Sequence, residues 1–203
     1  MNKKHNWLRE TFSWLMVFLI PLLSVLLLLS RVFAVSTIHQ VSMLNTLLEG
    51  DLVYCSRPDF QSKPPERGDI VLFYADNRER GDILWEFGMR FTDMADNWRG
   101  RDFRRNLRYV KRVVGLPGET VDLRDGMVYI DGERLEEPYT LTGTDSRTVA
   151  FPLVVPQGEL FLLGDNRARS EDSRDFGCIR LGALEGKVRY RLLPFSRLGS
   201  LVD

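Results

Sequence analysis

One long apolar segment lies near the N-terminus of the chain. The nineteen residues from Phe12 to Ser30 carry no charge, and four further apolar residues follow Arg31 at 32–35. A helix needs about 20 apolar residues to cross a bilayer, whereas the apolar core of a cleaved signal peptide has only about 7 to 15 and ends at a small-x-small site. The sequence FAVSTIHQ after the run is a poor cleavage site. We therefore predict a retained transmembrane anchor over residues 12–35.

Charged residues beside this segment predict its orientation. The short tail 1–11 contains three lysine and arginine residues, and the positive-inside rule places such a tail in the cytoplasm. Arg31 on the other side of the span weakens this bias. We expect a single-pass protein of the cytoplasmic membrane, with residues 36–203 outside it.

After the anchor the pattern changes to short apolar or alternating runs, which is typical of strands. Two of the breaks between runs are Asp125-Gly126 and Asp131-Gly132, and Asp-Gly is a strong hairpin signal because both residues tolerate positive φ. Residues 36–203 are thus predicted to form one mostly β domain. The predicted strands lie at 52–55, 69–74, 109–115, 120–123, 127–130, 160–163 and 187–192.

Residues 75–108 interrupt this rhythm and predict an insertion that is helical in part. Basic residues crowd its end and the strand that follows. They could contact anionic lipid headgroups or form a solvated loop, and the sequence leaves both interpretations open. The cluster comprises Arg99, Arg101, Arg104, Arg105, Arg108, Lys111 and Arg112.

Composition excludes several classes of function. The 28 basic and 28 acidic residues give a formal net charge of zero, so no overall field favours nucleic acid. Cys55 and Cys178 are the only cysteines and form no metal-binding spacing, although they could pair or stay free. His5 and His39 are the only histidines, which leaves little basis for a metal site. We expect no metal or organic cofactor.

Three motifs carry the candidate chemistry: SMLNTLLEGD at 42–51, RGDIVLF at 67–73 leading to YVKRVVGLPGE at 109–119, and GDNRARSEDSRDFG at 164–177. In this order, behind one N-terminal anchor, they resemble the bacterial type I signal peptidases from the anchor nearly to the C-terminus. The resemblance implies a β-rich catalytic domain in which Ser42 is the nucleophile and Lys111 the general base.

The physical requirements of such a pair can be stated from the residues alone. A serine hydroxyl is a weak nucleophile until a neighbouring base takes its proton. With its ordinary pKa of about 10.4, a lysine is neutral in fewer than about one molecule in a thousand at pH 7, so activation needs a pKa lowered by roughly 2 to 3 units, which burial can supply. Lys111 lies in an apolar segment whose side chains can be buried. His39 is a poor alternative base, because an extended chain would direct it and Ser42 to opposite faces.

By resemblance, Ser170 donates a hydrogen bond that orients the Lys111 amine, and Asp172 and Arg174 form a supporting ion pair. These three residues lie in the third motif, 164–177, which is expected to form a loop. The residues expected to hold this loop are Asp165, Asn166 and Arg167. The residues expected to line shallow pockets for small signal-peptide side chains are Ile38, Met43, Leu47, Tyr109 and Val110.

Two positions depart from the family pattern. Asn45 occupies the place of the proline in SM-x-P-T, which leaves the backbone after Ser42 less fixed in φ. Gln40 stands where the family often has serine or glycine for the oxyanion hole, so either its amide substitutes or the Ser42 backbone N–H acts with less help.

The implied function is removal of signal peptides from secreted preproteins at the outer face of the membrane. The expected partners are signal peptides and the lipid bilayer, with the secretion translocon as a further candidate and no nucleic acid. A self-cleaving repressor is disfavoured by the anchor and by the lack of a DNA-binding helical domain. A non-catalytic relative that assists the assembly of surface fibres stays open because of Gln40 and Asn45.

Overall fold

A computed structural model of the chain describes residues 4–56, 63–74, 76, 77, 88 and 108–201. Helix α1 covers Lys4–Val32 and contains Pro21. Within the part of the chain that the structure describes, no helix combines the length and the apolar character needed to cross a membrane. The predicted anchor extends to residue 35, but α1 ends at Val32 and strand β1 begins at Phe33.

Twelve strands follow α1 among the described residues, and the prediction of a mostly β fold is confirmed. Its strands are β1 (Phe33–Thr37), β2 (Leu52–Ser56), β3 (Ile70–Tyr74), β4 (Arg108–Gly115), β5 (Thr120–Arg124), β6 (Met127–Ile130), β7 (Glu133–Arg134), β8 (Leu153–Val154), β9 (Glu159–Leu163), β10 (Ile179–Arg180), β11 (Leu184–Leu193) and β12 (Gly199–Ser200).

The strands form two antiparallel sheets. The larger sheet has the order β1-β2-β11-β3-β4-β9-β10, with β12 paired to β11, and the smaller sheet has the order β7-β6-β5-β8. Both Asp-Gly hairpins are confirmed: Asp125 and Gly126 join β5 to β6 with φ of 50° and 74°, and Asp131 and Gly132 join β6 to β7 with φ of 50° and 87°.

Strand β4 lies in the middle of the larger sheet, between β3 and β9, and both of its faces are covered. Because side chains alternate along a strand, Val110 packs into one apolar cluster with Ile70 and Leu72, while Tyr109 and Val113 pack into another with Phe73. A lysine on this strand is therefore surrounded by core side chains.

Two further predictions can be compared with this fold. Cys55 is buried, Cys178 is half-buried, and both are free thiols, so they do not form a disulfide. The predicted insertion at 75–108 lies outside the described residues except at 76, 77, 88 and 108. The basic cluster at its end lies outside them too, apart from its members on β4.

Candidate active site

Ser42 and Lys111 are adjacent in the folded chain although they lie 69 positions apart in the sequence. Ser42 lies in a single 3₁₀ turn, Val41–Met43, between β1 and β2, and Lys111 lies on β4. The Lys111 Nζ atom is 2.8 Å from Ser42 Oγ and 3.3 Å from the Val110 carbonyl oxygen. Both side chains are buried, with 6% of Ser42 and 1% of Lys111 exposed. The predicted contact between the two residues is present.

Burial decides the protonation of this lysine. Loss of solvation lowers the pKa of Lys111 to about 8, assisted by the Arg174 charge and opposed by the carboxylates of Asp172, Glu171 and Asp165. With this pKa about one molecule in ten has a neutral amine at pH 7, about 200 to 300 times more than for an exposed lysine. The amine can therefore accept the proton of the adjacent hydroxyl.

The turn that carries Ser42 is attached to the loop that follows β9. Asn166 donates from its side-chain amide to the Val41 carbonyl over 3.0 Å and from its backbone N–H to the Ser42 carbonyl over 3.0 Å. Next to it, Asp165 accepts from Thr46 over 2.5 Å and from two guanidinium nitrogens of Arg112 over 2.8 and 2.7 Å. These contacts fix the Ser42 turn with respect to β4.

Asp172 and Arg174 form the predicted ion pair, and both are almost completely buried. Two guanidinium nitrogens of Arg174 lie 2.8 and 2.9 Å from the two carboxylate oxygens. Burial of the carboxyl opposes its ionisation, but Arg174 outweighs this effect and lowers the pKa of Asp172. Asp172 also caps the short helix α2, Ser173–Phe176, and accepts from the Gly164 N–H over 3.1 Å.

Ser170 corrects one expectation. The hydrogen bond predicted from Ser170 to the Lys111 amine does not form, since the buried Ser170 hydroxyl has no hydrogen-bond partner among the described residues. The hydroxyl does lie beside the Asp172 carboxylate and helps to lower its pKa, although the geometry falls short of a proper hydrogen bond. Close packing against Gly164 fixes the position of Ser170.

Arg167 holds the loop through contacts that the sequence did not reveal. Its guanidinium binds both carboxylate oxygens of Glu137 over 2.9 and 2.6 Å, and it also binds the Thr144 hydroxyl. Arg147 donates to the Arg167 carbonyl over 2.8 Å and binds the Asp175 carboxylate over 2.9 Å. Glu137, Thr144 and Arg147 belong to no motif, so only the folded structure identifies them as part of the loop's support.

Comparison with known proteins places the chain in a family. The model of the signal peptidase family, peptidase S26, matches residues 11–193. The chain belongs to the signal peptidase family. A probable signal peptidase I-1 from Synechocystis is 33% identical to it over 97% of this chain and 88% of its own length. The signal peptidase I of Bacillus caldolyticus is 30% identical over 82% of each chain. A solved signal peptidase I from Enterococcus faecalis is 31% identical, covers 62% of this chain and 97% of its own, and has a TM-score of 0.41.

Four of the five residues predicted to line the substrate pockets lie together in the structure. Ile38, Met43, Leu47 and Val110 belong to one buried apolar cluster behind the Ser42 turn. Tyr109 belongs to the cluster on the opposite face of β4, where its ring centroid is 5.0 Å from the Lys111 Nζ atom. The structure therefore divides the predicted pocket between the two faces of one strand.

Gln40 and His39 are both exposed. Gln40 precedes the Ser42 turn in an extended conformation, and its side chain makes no capping hydrogen bond to that turn. Among the described residues, no group of three or more His, Cys, Asp or Glu side chains is arranged to hold a metal ion.

The departure at Asn45 has a structural reason. Asn45 has a φ of 92°, and its side chain donates to the Tyr139 carbonyl over 3.2 Å. Proline is restricted to a φ near −65°, so the residue usual in the family cannot adopt this conformation. Asparagine tolerates positive φ better than most residues.

We expect Asn45→Pro to destabilise the protein by more than about 1 kcal/mol, because the turn must change its backbone to accommodate the ring. Asn45→Gly is the matched control, since glycine adopts positive φ without steric cost. The midpoint of thermal unfolding should fall for the proline variant and stay near that of the parent for the glycine variant. An Asn45→Pro protein as stable as the parent would contradict the assigned backbone.

Proposed function

We propose that Ser42 is the nucleophile and Lys111 the general base of a membrane-anchored serine endopeptidase that removes signal peptides from secreted preproteins. Signal-peptide removal is the function of the family to which the chain belongs. The observation that carries the residue assignment is the buried 2.8 Å contact between the Lys111 amine and the Ser42 hydroxyl.

In the proposed reaction the neutral Lys111 amine takes the Ser42 proton while Oγ attacks the scissile carbonyl carbon. The resulting tetrahedral oxyanion needs hydrogen-bond donors, and the Ser42 backbone N–H and the Gln40 amide are the candidates. The Lys111 ammonium then protonates the departing amine, which leaves the signal peptide esterified to Ser42. Lys111, neutral again, activates the water that hydrolyses this ester.

The supporting residues act through position in this proposal. The Asp172–Arg174 pair holds the backbone of the loop 164–174, and Asp172 binds the Gly164 N–H. Ser170 is proposed to act as a spacer, because its side chain packs against Gly164, which also faces the Ser42 carbonyl. Loss of any of the three should displace Lys111 relative to Ser42.

The substrate is proposed to bind as an extended strand, so that its small side chains face apolar pockets beside Ser42. Ile38 and Val110 are proposed to line these pockets, since both belong to the apolar cluster and lie close in sequence to Ser42 and Lys111 respectively. Met43 and Leu47 would form the floor of the pocket. Tyr109 would bound the site on the Lys111 side.

Helix α1 is proposed to anchor the enzyme, with its N-terminus in the cytoplasm and the β domain outside. The uncharged sequence from Phe12 to Ser30 supports this proposal, as do the exposed apolar side chains along α1, which include Trp14 and Phe18. Ser42 follows the end of α1 by ten residues. A chain of that length spans at most about 35 Å, so the nucleophile stays near the bilayer, where a translocon would deliver preproteins.

The non-catalytic alternative is not favoured. The relatives are named as signal peptidases over most of the chain, and both members of the reactive pair are present.

The decisive experiment incubates the detergent-solubilised full chain with a preprotein whose leader ends in Ala-x-Ala. We expect the parent to cleave after the final alanine and Ser42→Ala to be inactive, because no other hydroxyl is in contact with the Lys111 amine among the described residues. Folding of the variant is checked by thermal unfolding. Cleavage by a folded Ser42→Ala protein would refute the assignment.

A further inference from the structure

Glu171 lies between two buried residues of the loop 164–174, called the catalytic loop below, but is itself exposed. Ser170 and Asp172 on either side are buried, whereas the Glu171 side chain reaches the surface. Its carboxylate accepts a hydrogen bond from the Tyr109 hydroxyl over 3.0 Å. An exposed glutamate is normally mobile, and this contact fixes its charge at one place.

Tyr109 connects that charge to the reactive lysine. The centroid of its ring is 5.0 Å from the Lys111 Nζ atom, and the hydroxyl at the far end of the ring holds Glu171. Burial, together with the hydrogen bond and the negative charge of Glu171, raises the pKa of Tyr109 to about 12. The phenol therefore stays protonated near neutral pH and continues to donate to the carboxylate.

The other charges that face Lys111 belong to ion pairs. Asp172 pairs with Arg174, and Asp165 pairs with Arg112, so each negative field is opposed by an adjacent positive one. The described partner of Glu171 is the neutral phenol of Tyr109. The Glu171–Tyr109 contact contains no cation that would oppose the negative field of Glu171 at Lys111. Solvent and salt still screen that field.

We propose that Glu171 tunes the reaction: its carboxylate, held by Tyr109, raises the lower limit of the pH range in which the enzyme is active. This inference rests on the proposed role of Lys111 as general base. A negative charge favours the ammonium form of Lys111 and opposes the effect of burial. Removing that charge should therefore make the neutral amine available at lower pH. Glu171 acts through its electrostatic effect on Lys111 and does not contact the reacting atoms.

The test measures kcat/KM against pH, since this profile reports ionisations of the free enzyme. The detergent-solubilised full chain is assayed on a peptide containing an Ala-x-Ala cleavage site. We expect Glu171→Gln to move the acid limb downward by about half a pH unit, roughly a threefold gain in kcat/KM at acid pH. Glu171→Lys should move it about twice as far, and Glu171→Asp should largely restore the parental profile.

Two controls separate this local field from other causes. Glu133→Gln makes the same charge change at an exposed position on β7, and we expect it to leave the acid limb in place. In 1 M NaCl, where the Debye length is about 3 Å, the difference between parent and Glu171→Gln should shrink. A merely structural role would lower kcat without either response.

Identical acid limbs for parent and Glu171→Gln at low salt would overturn the inference, as would an equal shift in Glu133→Gln. Neither result affects the assignment of Lys111. That assignment fails only if folded Lys111→Ala or Ser42→Ala protein retains cleavage, so the two failures can be distinguished.

Discussion

Lys111→Met should abolish signal-peptide cleavage and at the same time stabilise the folded protein. The thioether cannot accept the Ser42 proton, so activity disappears. Desolvation holds the pKa of Lys111 at about 8, against 10.5 for an exposed lysine. At pH 7 the native state therefore bears a buried ammonium that the unfolded state solvates better, at a cost of order 3 kcal/mol. An apolar side chain of similar length removes that cost, and we expect a net gain of about 1 to 3 kcal/mol.

The stability gain expected for Lys111→Met should depend on pH, and the direction of that dependence is an independent check. Below pH 8 the lysine is protonated in both states and its penalty is complete. Between pH 8 and about 10.5 the unfolded state binds more protons than the native state, so the stability contribution of Lys111 rises with pH until the penalty is lost. The advantage of Lys111→Met should consequently shrink towards zero over that interval.

Denaturant unfolding at pH 7, 8.5 and 10 measures the difference in unfolding free energy between parent and Lys111→Met. The contributions of all other titrating groups cancel in this difference. Lys111→Arg is the contrasting variant, because a guanidinium stays charged throughout and should give an inactive and less stable protein. A Lys111→Met protein that is less stable than the parent at pH 7, or whose advantage over the parent is larger at pH 10 than at pH 7, would contradict a desolvated amine.

Most of the strands could be predicted because their sequences alternate or are wholly apolar between clear turns. The segment 127–130 is the clearest case, since an Asp-Gly pair follows it and another precedes it. β1 was missed because residues 32–35 are as apolar as the anchor before them, so hydropathy alone cannot show where helix becomes strand. The two-residue strands β7, β8, β10 and β12 are too short to show a period.

The Ser42–Lys111 contact and the Asp172–Arg174 ion pair could be predicted from the motifs, but the contacts that hold the loop from outside those motifs could not. Glu137 and Arg147 bind the catalytic loop from a segment without regular structure, and such long-range ion pairs leave no local pattern in sequence. The resemblance assigned Ser170 to the lysine amine, whereas the structure packs its side chain against Gly164 and beside Asp172. The motifs identify residues that lie close together in the fold. Which hydrogen bonds these residues form depends on the detailed packing of their side chains.

Gly164→Ala should have the largest effect of any single-methyl substitution in this site. A Cβ atom at Gly164 would lie 2.2 Å from Ser170 Oγ, 2.6 Å from Ser170 Cβ and 2.6 Å from the Ser42 carbonyl oxygen. Contacts this short require movement, and the atoms that must move belong to the nucleophile turn and the catalytic loop. Because a misplacement of about 1 Å can cost about 10²-fold in rate, we expect kcat to fall at least that far. Overpacking of this kind should also cost about 1 to 3 kcal/mol of stability.

The contacts at Gly164 can be separated by a second substitution. Ser170→Gly removes both side-chain contacts but leaves the Ser42 carbonyl in place, so the double variant should recover part of the stability while its activity stays low. Gly199→Ala is the matched control, since a Cβ there meets nothing within 4 Å. Thermal unfolding and the kcat for a signal-peptide substrate measure the two effects. If Gly164→Ala retains parental activity, the nucleophile turn can relax away from the loop, and the rigid attachment inferred for Ser42 is wrong.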